Sequence, residues 1–284
     1  MNYQFIGAAF MPHPPIMLPE IGGDSCLRIK NTIEAAGKVG QLLASADTVI
    51  YMGPHGPAFK DAVTMFDVEQ LTGNMARFGV PGLVMQMKID KILLNRIATV
   101  SGQEKIRVAL LNDQSFQKFT IQPAIDHAGL VPLYFLSKAG FSGKVVYMNM
   151  GYLPYREMYD LGQMIGRLFN DSGNNADICK VAIIVSGDLS HRLKPGAPAG
   201  YDPQGAVFDG QVVEALRHND VELLNSLEPE LIEAAGECGL RPAFFLMGVL
   251  SQVQVERKVL TYEGPFGVGY AVAGWVSAIN KNRP

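Results

Sequence analysis

Two histidines follow short apolar runs at nearly the same distance, and this repeat is the strongest chemical signal in the chain. His13 lies just beyond the run over residues 6–11, and His55 lies just beyond the run over residues 48–52. Prolines beside each histidine stiffen the loop and so hold the ring in one direction. Neutral imidazole is the commonest protein ligand for metals. The pair therefore predicts one metal site. For each residue taken alone, a loop histidine bonded to backbone is the alternative.

A two-histidine site generally needs a third ligand, and residues 236–241 offer two candidates. Two histidines and one carboxylate on Fe(II) leave adjacent coordination positions open. Glu237 lies near glycines at a predicted joint between two helices, where a carboxylate can turn inward, so it is the preferred third ligand. Cys238 is the rival ligand, although burial of a small apolar residue explains it equally well. Spacing alone does not choose between them.

The other histidines have different surroundings. His191 follows the clearest buried run, residues 181–185, and its ordinary pKa near neutral suits a general acid or base. Asp188 could orient it, or Asp188 could simply cap the next turn. His127 lies in a turn-like sequence, where a structural role and a supporting role beside the site are equally open. His218 ends a predicted helix, where a cation complements the helix dipole, and we interpret it as structural.

The elements that must position these residues indicate one α/β domain over residues 1–284. Residues 130–136 are apolar without a clear type, and glycine-rich residues 264–269 predict a hairpin turn. Open α/β sheets build their sites from loops at the carboxyl ends of strands, which is where the strand-end histidines are expected. Strands are predicted over 6–11, 48–52, 62–68, 107–111, 145–150, 181–185 and 270–278, and helices over 24–43, 89–100, 155–169, 205–218, 229–236 and from 242.

Composition excludes several classes of protein. Hydrophobic residues make up 48% of the 284 residues, which is enough for a substantial core. The 24 Lys and Arg against 27 Asp and Glu give a formal charge of −3, with no basic stripe, so nucleic acid is not an expected partner. Three widely spaced cysteines predict a reducing compartment. No signal-peptide pattern and no run near ~18 apolar residues is present, so we expect a soluble, cytoplasmic protein.

Seven motifs spread over essentially the whole chain form a consistent set. They are GAAFMPHPP at 7–15, PEIG at 19–22, GPHG at 53–56, DH at 126–127, SGDLSHRL at 186–193, ECGLR at 237–241 and YEGPFGVGY at 262–270. In this order they resemble the class III extradiol ring-cleavage dioxygenase family, in the type of chain represented by the β subunit of protocatechuate 4,5-dioxygenase. More narrowly, they resemble its branch called AmmeMemoRadiSam system protein B, together with the Memo proteins.

The resemblance implies a fold and a site. The fold would be a three-layer α/β/α domain with a mostly buried mixed sheet. Fe(II) would be held by His13, His55 and Glu237, with His191 as the acid/base residue and His127 near the substrate. The implied reaction is oxidative cleavage of an aromatic ring beside one hydroxyl of a vicinal diol, in which O2 and the diol share the open metal positions. Enzymes of this family also work as assemblies, which makes a homo-oligomer plausible.

The Memo relatives define the alternative. They share the fold but are known for protein interaction as much as for ring cleavage, and in them a cysteine stands near the place of the carboxylate. Because this chain has both Glu237 and Cys238, the resemblance also allows a metal- or peptide-binding protein without dioxygenase activity.

Overall fold

The structure is a computed structural model in which residues 2–170 and 177–278 are described. The strands are β1 (Asn2–Met11), β2 (Thr48–Gly53), β3 (Val63–Phe66), β4 (Gln70–Met75), β5 (Val80–Lys88), β6 (Val108–Leu111), β7 (Lys144–Asn149), β8 (Ile178–Ser186), β9 (Val255–Glu263) and β10 (Tyr270–Ser277). The helices are α1 (Pro19–Gly22), α2 (Lys30–Leu43), α3 (Lys91–Gln103), α4 (Asp113–Phe119), α5 (His127–Lys138), α6 (Tyr155–Arg167), α7 (Gln204–His218), α8 (Val221–Asn225), α9 (Pro229–Ala235) and α10 (Leu240–Leu250).

A mixed eight-stranded sheet forms the centre of the domain, in the order β6-β3-β7-β2-β8-β1-β10-β9. The four central strands β7, β2, β8 and β1 run parallel, and β10 and β9 continue the sheet antiparallel. Parallel central strands direct their carboxyl ends to one edge, so the loops after β1, β2 and β8 meet there. The sheet therefore brings together the segments that carry His13, His55 and His191.

Helices cover both faces of this sheet. Helices α2 and α5 pack together on one face, and α6 and α10 pack together on the other. All six residues of β2 are buried, as expected for a strand that is covered on both faces. Helices α6 and α10 can approach closely because Gly162 has no side chain. A Cβ atom at this position would lie 2.0 Å from the carbonyl oxygen of Phe245. The predicted three-layer α/β fold with a largely buried mixed sheet is confirmed.

Several local predictions need correction. The hairpin of β4 and β5 was not predicted, because β5 is mostly exposed and its Pro81 and Gly82 are typical of a loop. Helix α4 was not predicted from the sequence; Asn112 caps it. Residues Gly23–Ile29 form a 3-10 turn, so α2 begins at Lys30 and not at residue 24. The unassigned run over residues 130–136 lies inside α5.

Within the two described ranges, no helix is both long enough and apolar enough to span a bilayer.

Candidate metal centre

Three side chains from separate loops converge at the carboxyl edge of the sheet. The possible ligand atoms of His13, His55 and Cys238 all lie within 4.8 Å of one another. His13 Nε2 is 3.8 Å from Cys238 Sγ, and the rings of His13 and His55 meet edge to face with centroids 5.0 Å apart. Bonds of roughly 2.0–2.3 Å from zinc to nitrogen or sulfur would place two ligand atoms within about 4.4 Å of each other. Small movements would therefore let all three share one ion.

Backbone contacts between two loops hold this geometry. The Gly187 N–H donates to the carbonyl of Met11, and the Cys238 N–H donates to the carbonyl of Asp188. A Cβ atom on Gly187 would lie 2.3 Å from the Cα of Gly239. Only glycine fits such an approach. A glycine at position 187 is therefore required to seat Cys238 beside the histidines.

Ser186 determines which nitrogen of His13 is free. The Ser186 hydroxyl donates to the carbonyl of Ala128 at 2.8 Å, and its oxygen lies 2.9 Å from His13 Nδ1. A hydroxyl has one proton to donate, so Nδ1 of His13 must carry a hydrogen and donate it to Ser186. This leaves the Nε2 lone pair directed toward Cys238, as a metal ligand requires.

Asp188 contacts His13 and not His191. One carboxylate oxygen accepts from the His13 backbone N–H at 2.9 Å, and the other lies 3.8 Å from His13 Nε2. Burial raises the pKa of Asp188 to about 7, and the bond from the His13 N–H opposes this shift. The sequence suggested Asp188 as the residue that orients His191. In the structure, the carbonyl of Gly236 does so, by accepting from His191 Nδ1.

Glu237 is half-buried, and it is not one of the three converging ligands. Its Oε2 accepts from the backbone N–H of Leu240 at 2.6 Å, which satisfies a donor at the start of α10. Burial raises the pKa of Glu237 to about 7, whereas the bond from Leu240 and the charge of Arg241 lower it. The carboxylate preferred from the sequence thus caps a helix, and the adjacent Cys238 sulfur faces His13.

The Cys238 thiol lies in surroundings that disfavour its charge in the absence of a metal. Burial raises its pKa well above the ordinary value, and the nearby Asp188 raises it further. A bound cation reverses this preference, because a metal-coordinated thiol loses its proton. Binding of a metal through this sulfur would therefore be coupled to release of a proton.

His127 and His191 lie beside the converging ligands. The His127 ring stacks on His55 with centroids 4.7 Å apart and an interplanar angle of 25°, and it meets His13 edge-on at 5.5 Å. Burial is the largest cause of the lowered pKa of His191, and charge on His55 adds to it, which places His191 within electrostatic range of His55. The four histidines that the sequence placed in or beside the site thus form one cluster. His218 is apart from them and pairs with Glu214 on α7, at the helix end as predicted.

The histidines of the cluster share one electrostatic property. Burial is the largest cause of the lowered pKa at His13, His55, His127 and His191. These rings are therefore neutral near pH 7 and keep a lone pair for a metal or a proton. In His191 the hydrogen is on Nδ1, because its partner is a carbonyl oxygen, so Nε2 is the free base.

Two residues of the site were missed by sequence reasoning. Ser186 lies in a quoted motif, but its role depends on the pairing of β8 with β1, which aligns Ser186 with Met11. Phe78 packs against His127 with ring centroids 5.5 Å apart, from the short turn Ala76–Phe78 between β4 and β5. No sequence signal linked that turn to the histidines, since the hairpin itself was not predicted.

Comparison with known proteins identifies the family. Residues 7–273 match the family described as the catalytic LigB subunit of aromatic ring-opening dioxygenase, so the chain belongs to the LigB family. Protein CA_C1420 of Clostridium acetobutylicum is 32% identical over 268 residues, which is 94% of this chain and 56% of that protein. The chain thus spans just over half the length of that curated relative.

A solved structure shares the fold. The uncharacterized protein JW3007 from Escherichia coli K12 aligns with a TM-score of 0.61 at 14% identity, covering 95% of this chain and 99% of that chain. At this identity the likeness concerns the fold alone. LigB-family dioxygenases are typically metal-dependent, and the His13, His55 and Cys238 group is able to hold a metal.

Proposed function

We propose that this protein is a metal-dependent oxidoreductase of the extradiol type, which uses O2 to open the ring of a small aromatic diol. The observation that carries the proposal is the convergence of His13, His55 and Cys238 within 4.8 Å, with two further neutral histidines beside them. Membership of the LigB family supports the same reaction class.

The donor set fits a transition metal, and iron is the metal we propose. Imidazole and thiolate suit iron, copper and zinc, whereas Mg²⁺ and Ca²⁺ prefer oxygen ligands. Zinc has no redox chemistry and is less suited to a reaction with O2. When bound, Fe(II) would hold the diol and O2 together and allow electron density to pass between them. Cys238 replaces Glu237 as the third ligand in this proposal, because Glu237 is bonded to the start of α10.

The side chains around the metal would manage the protons of the substrate. His191 Nε2 is an unprotonated base near neutral pH and would accept the hydroxyl proton of the diol, then return it to the ring-opened product. His127 would line the substrate space, since its ring lies against His55. Ser186 would keep the Nε2 of His13 available to the metal throughout.

The cysteine ligand also favours a second candidate function. Two imidazoles and one thiolate are the donors of trigonal copper sites, in which the metal does not cleave substrates. A metal-binding interaction protein of the Memo type, without dioxygenase activity, would use the same three residues. The metal content of the protein and its response to diols separate the two candidates.

The test is anaerobic purification followed by elemental analysis, Fe(II) loading and oxygen uptake with a panel of catechols. The proposal expects one equivalent of iron and O2 consumption that depends on a diol. A His13→Ala variant should lose both, and the control His218→Gln should lose neither, because His218 lies on α7 away from the cluster. Full iron occupancy without uptake for any diol, or copper as the metal retained on purification, would support the second candidate instead.

A further inference from the structure

The tip of the β4–β5 hairpin lies against the histidine cluster. Phe78 in this tip packs on His127 at a centroid distance of 5.5 Å and an angle of 57°, and His127 stacks in turn on His55. Phe78 is nevertheless 39% exposed. An aromatic ring that is partly covered by a site residue and otherwise open offers a surface to a ligand.

The hairpin is fixed to the segment that leads into His127. Ile125 donates its N–H to the carbonyl of Thr72, and a Cβ atom on Gly73 would lie 2.2 Å from the carbonyl oxygen of Ile125. Met75, at the end of β4, is fully buried. These contacts hold Phe78 in place relative to His127, so the ring is positioned before any ligand binds.

Arg77 gives this surface a positive charge. The side chain is exposed, and within the described part of the chain no carboxylate pairs with it. Burial is the largest cause of the lowered pKa of His127; the charge of Asp126 opposes this shift and that of Arg77 adds to it, so Arg77 lies within electrostatic range of the ring. The nearest acidic residue along the chain to His127, Asp126, is engaged as the cap of α5 through the N–H groups of Ala128 and Gly129.

We propose that Phe78 and Arg77 form the specificity wall of the metal site, with Phe78 stacking on the ring of an aromatic ligand and Arg77 favouring a ligand with an anionic substituent. The identity of the ligand as a diol rests on the proposed function. The wall itself concerns binding and not ring cleavage. Its test therefore uses a metal that allows binding to be measured without turnover.

The experiment titrates the Co(II)-loaded protein under argon with three ligands and follows the cobalt absorption. Catechol and 3,4-dihydroxybenzoate differ by one carboxylate, and acetohydroxamate is a bidentate metal ligand without a ring. Phe78→Leu and Phe78→Met should weaken catechol binding by about 3- to 10-fold. Both should bind acetohydroxamate like the wild type, and Phe78→Tyr should retain catechol affinity.

A second part of the experiment tests the positive charge of Arg77. Arg77→Gln should weaken the binding of 3,4-dihydroxybenzoate by about 2- to 5-fold at low salt and leave the affinity for catechol unchanged. Arg77→Lys should keep the wild-type affinity for 3,4-dihydroxybenzoate. Val84→Ala is the matched control, because Val84 is exposed on the same hairpin. It should bind all three ligands like the wild type.

Two outcomes would overturn the proposal. In the first, Phe78→Leu and Phe78→Met bind catechol like the wild type, or the wild type binds no aromatic ligand. In the second, Phe78→Leu and Phe78→Met lose affinity for acetohydroxamate or cobalt as strongly as for catechol, which means that Phe78 only maintains the structure of the site. Oxygen uptake by the Fe(II) protein is measured separately. If the Phe78 variants bind catechol more weakly but the Fe(II) protein consumes no O2, only the proposed function is refuted. If the Fe(II) protein consumes O2 but the Phe78 variants bind catechol like the wild type, only the role of Phe78 is refuted.

Discussion

His13 Nδ1 lies 2.9 Å from the hydroxyl oxygen of Ser186, across the pair of parallel strands β1 and β8. The register of these strands aligns Met11 with Ser186, so the sheet places Ser186 beside the start of the loop that carries His13. It keeps a hydrogen on Nδ1 and leaves Nε2 as the ligand atom. Ser186 thus controls whether Nε2 of His13 is free to bind the proposed metal, without being a ligand itself.

Replacing Ser186 should weaken metal binding. In Ser186→Ala, His13 loses its acceptor and the carbonyl of Ala128 loses its donor, so the preference for the Nδ1–H form disappears. Loss of such a partner typically lowers metal affinity by about 10- to 100-fold. Competition of the loaded protein with a chromophoric chelator measures this change. Ser101→Ala is the control, because Ser101 is also buried but its hydroxyl has no partner. Equal affinity in the two variants would contradict the role of Ser186.

His191 should affect turnover and not metal binding. His191→Asn removes the Nε2 base, and loss of a general base typically lowers the rate by about 10²- to 10⁴-fold. Metal content and anaerobic diol binding should stay at wild-type values. Burial lowers the pKa of His191. The apparent pKa of the acid limb of the wild-type pH–rate profile should therefore lie below the ordinary histidine value of 6.5. Loss of the metal in His191→Asn would show that the ring has a different role.

Asp209 should make stability depend on pH. It is a buried residue of α7 that accepts from the Ser190 N–H at 2.7 Å and from the Tyr262 hydroxyl at 2.6 Å. Burial raises the pKa of Asp209 from 3.8 to about 6. Between these values the folded chain binds more protons than the unfolded chain, so this group lowers the free energy of unfolding as the pH rises.

Asp209→Asn removes that dependence. The variant should gain stability relative to the wild type between about pH 4 and pH 6, by at most roughly 1 kcal/mol per pH unit, and the difference should then level off. Urea unfolding at a series of pH values measures it. The exposed carboxylate of Glu230, on α9, provides the control Glu230→Gln. Parallel curves for wild type and Asp209→Asn across this range would refute the prediction.

The pairing of His13 with His55 could be predicted from the sequence for a simple physical reason. Each follows an apolar strand, and neighbouring parallel strands in a buried sheet place the loops at their carboxyl ends close together. The three-layer fold was predictable from the same strands and from the resemblance to a family. Local pattern and global arrangement agree in these segments.

The sequence could not decide between Glu237 and Cys238 as third ligand of the proposed site, because they are neighbours with nearly identical sequence surroundings. The choice depends on where α10 begins, since the N–H of Leu240 binds the Glu237 carboxylate and leaves the sulfur facing His13. The role of Phe78 could not be predicted from the sequence for another reason. Its contact with His127 depends on β4 packing against Ile125, about fifty residues further along the chain.

The central claim is that one metal ion is held by His13, His55 and Cys238, with Glu237 as a helix cap. The most direct measurement is the absorption spectrum of the Co(II)-loaded wild type, Cys238→Ser and Glu237→Gln, together with their cobalt content. Thiolate-to-cobalt charge transfer at one equivalent of cobalt is expected in the wild type and in Glu237→Gln, and its loss is expected in Cys238→Ser. A wild-type spectrum without that band, with cobalt lost from Glu237→Gln and retained in Cys238→Ser, would contradict the assignment and restore the carboxylate as the third ligand.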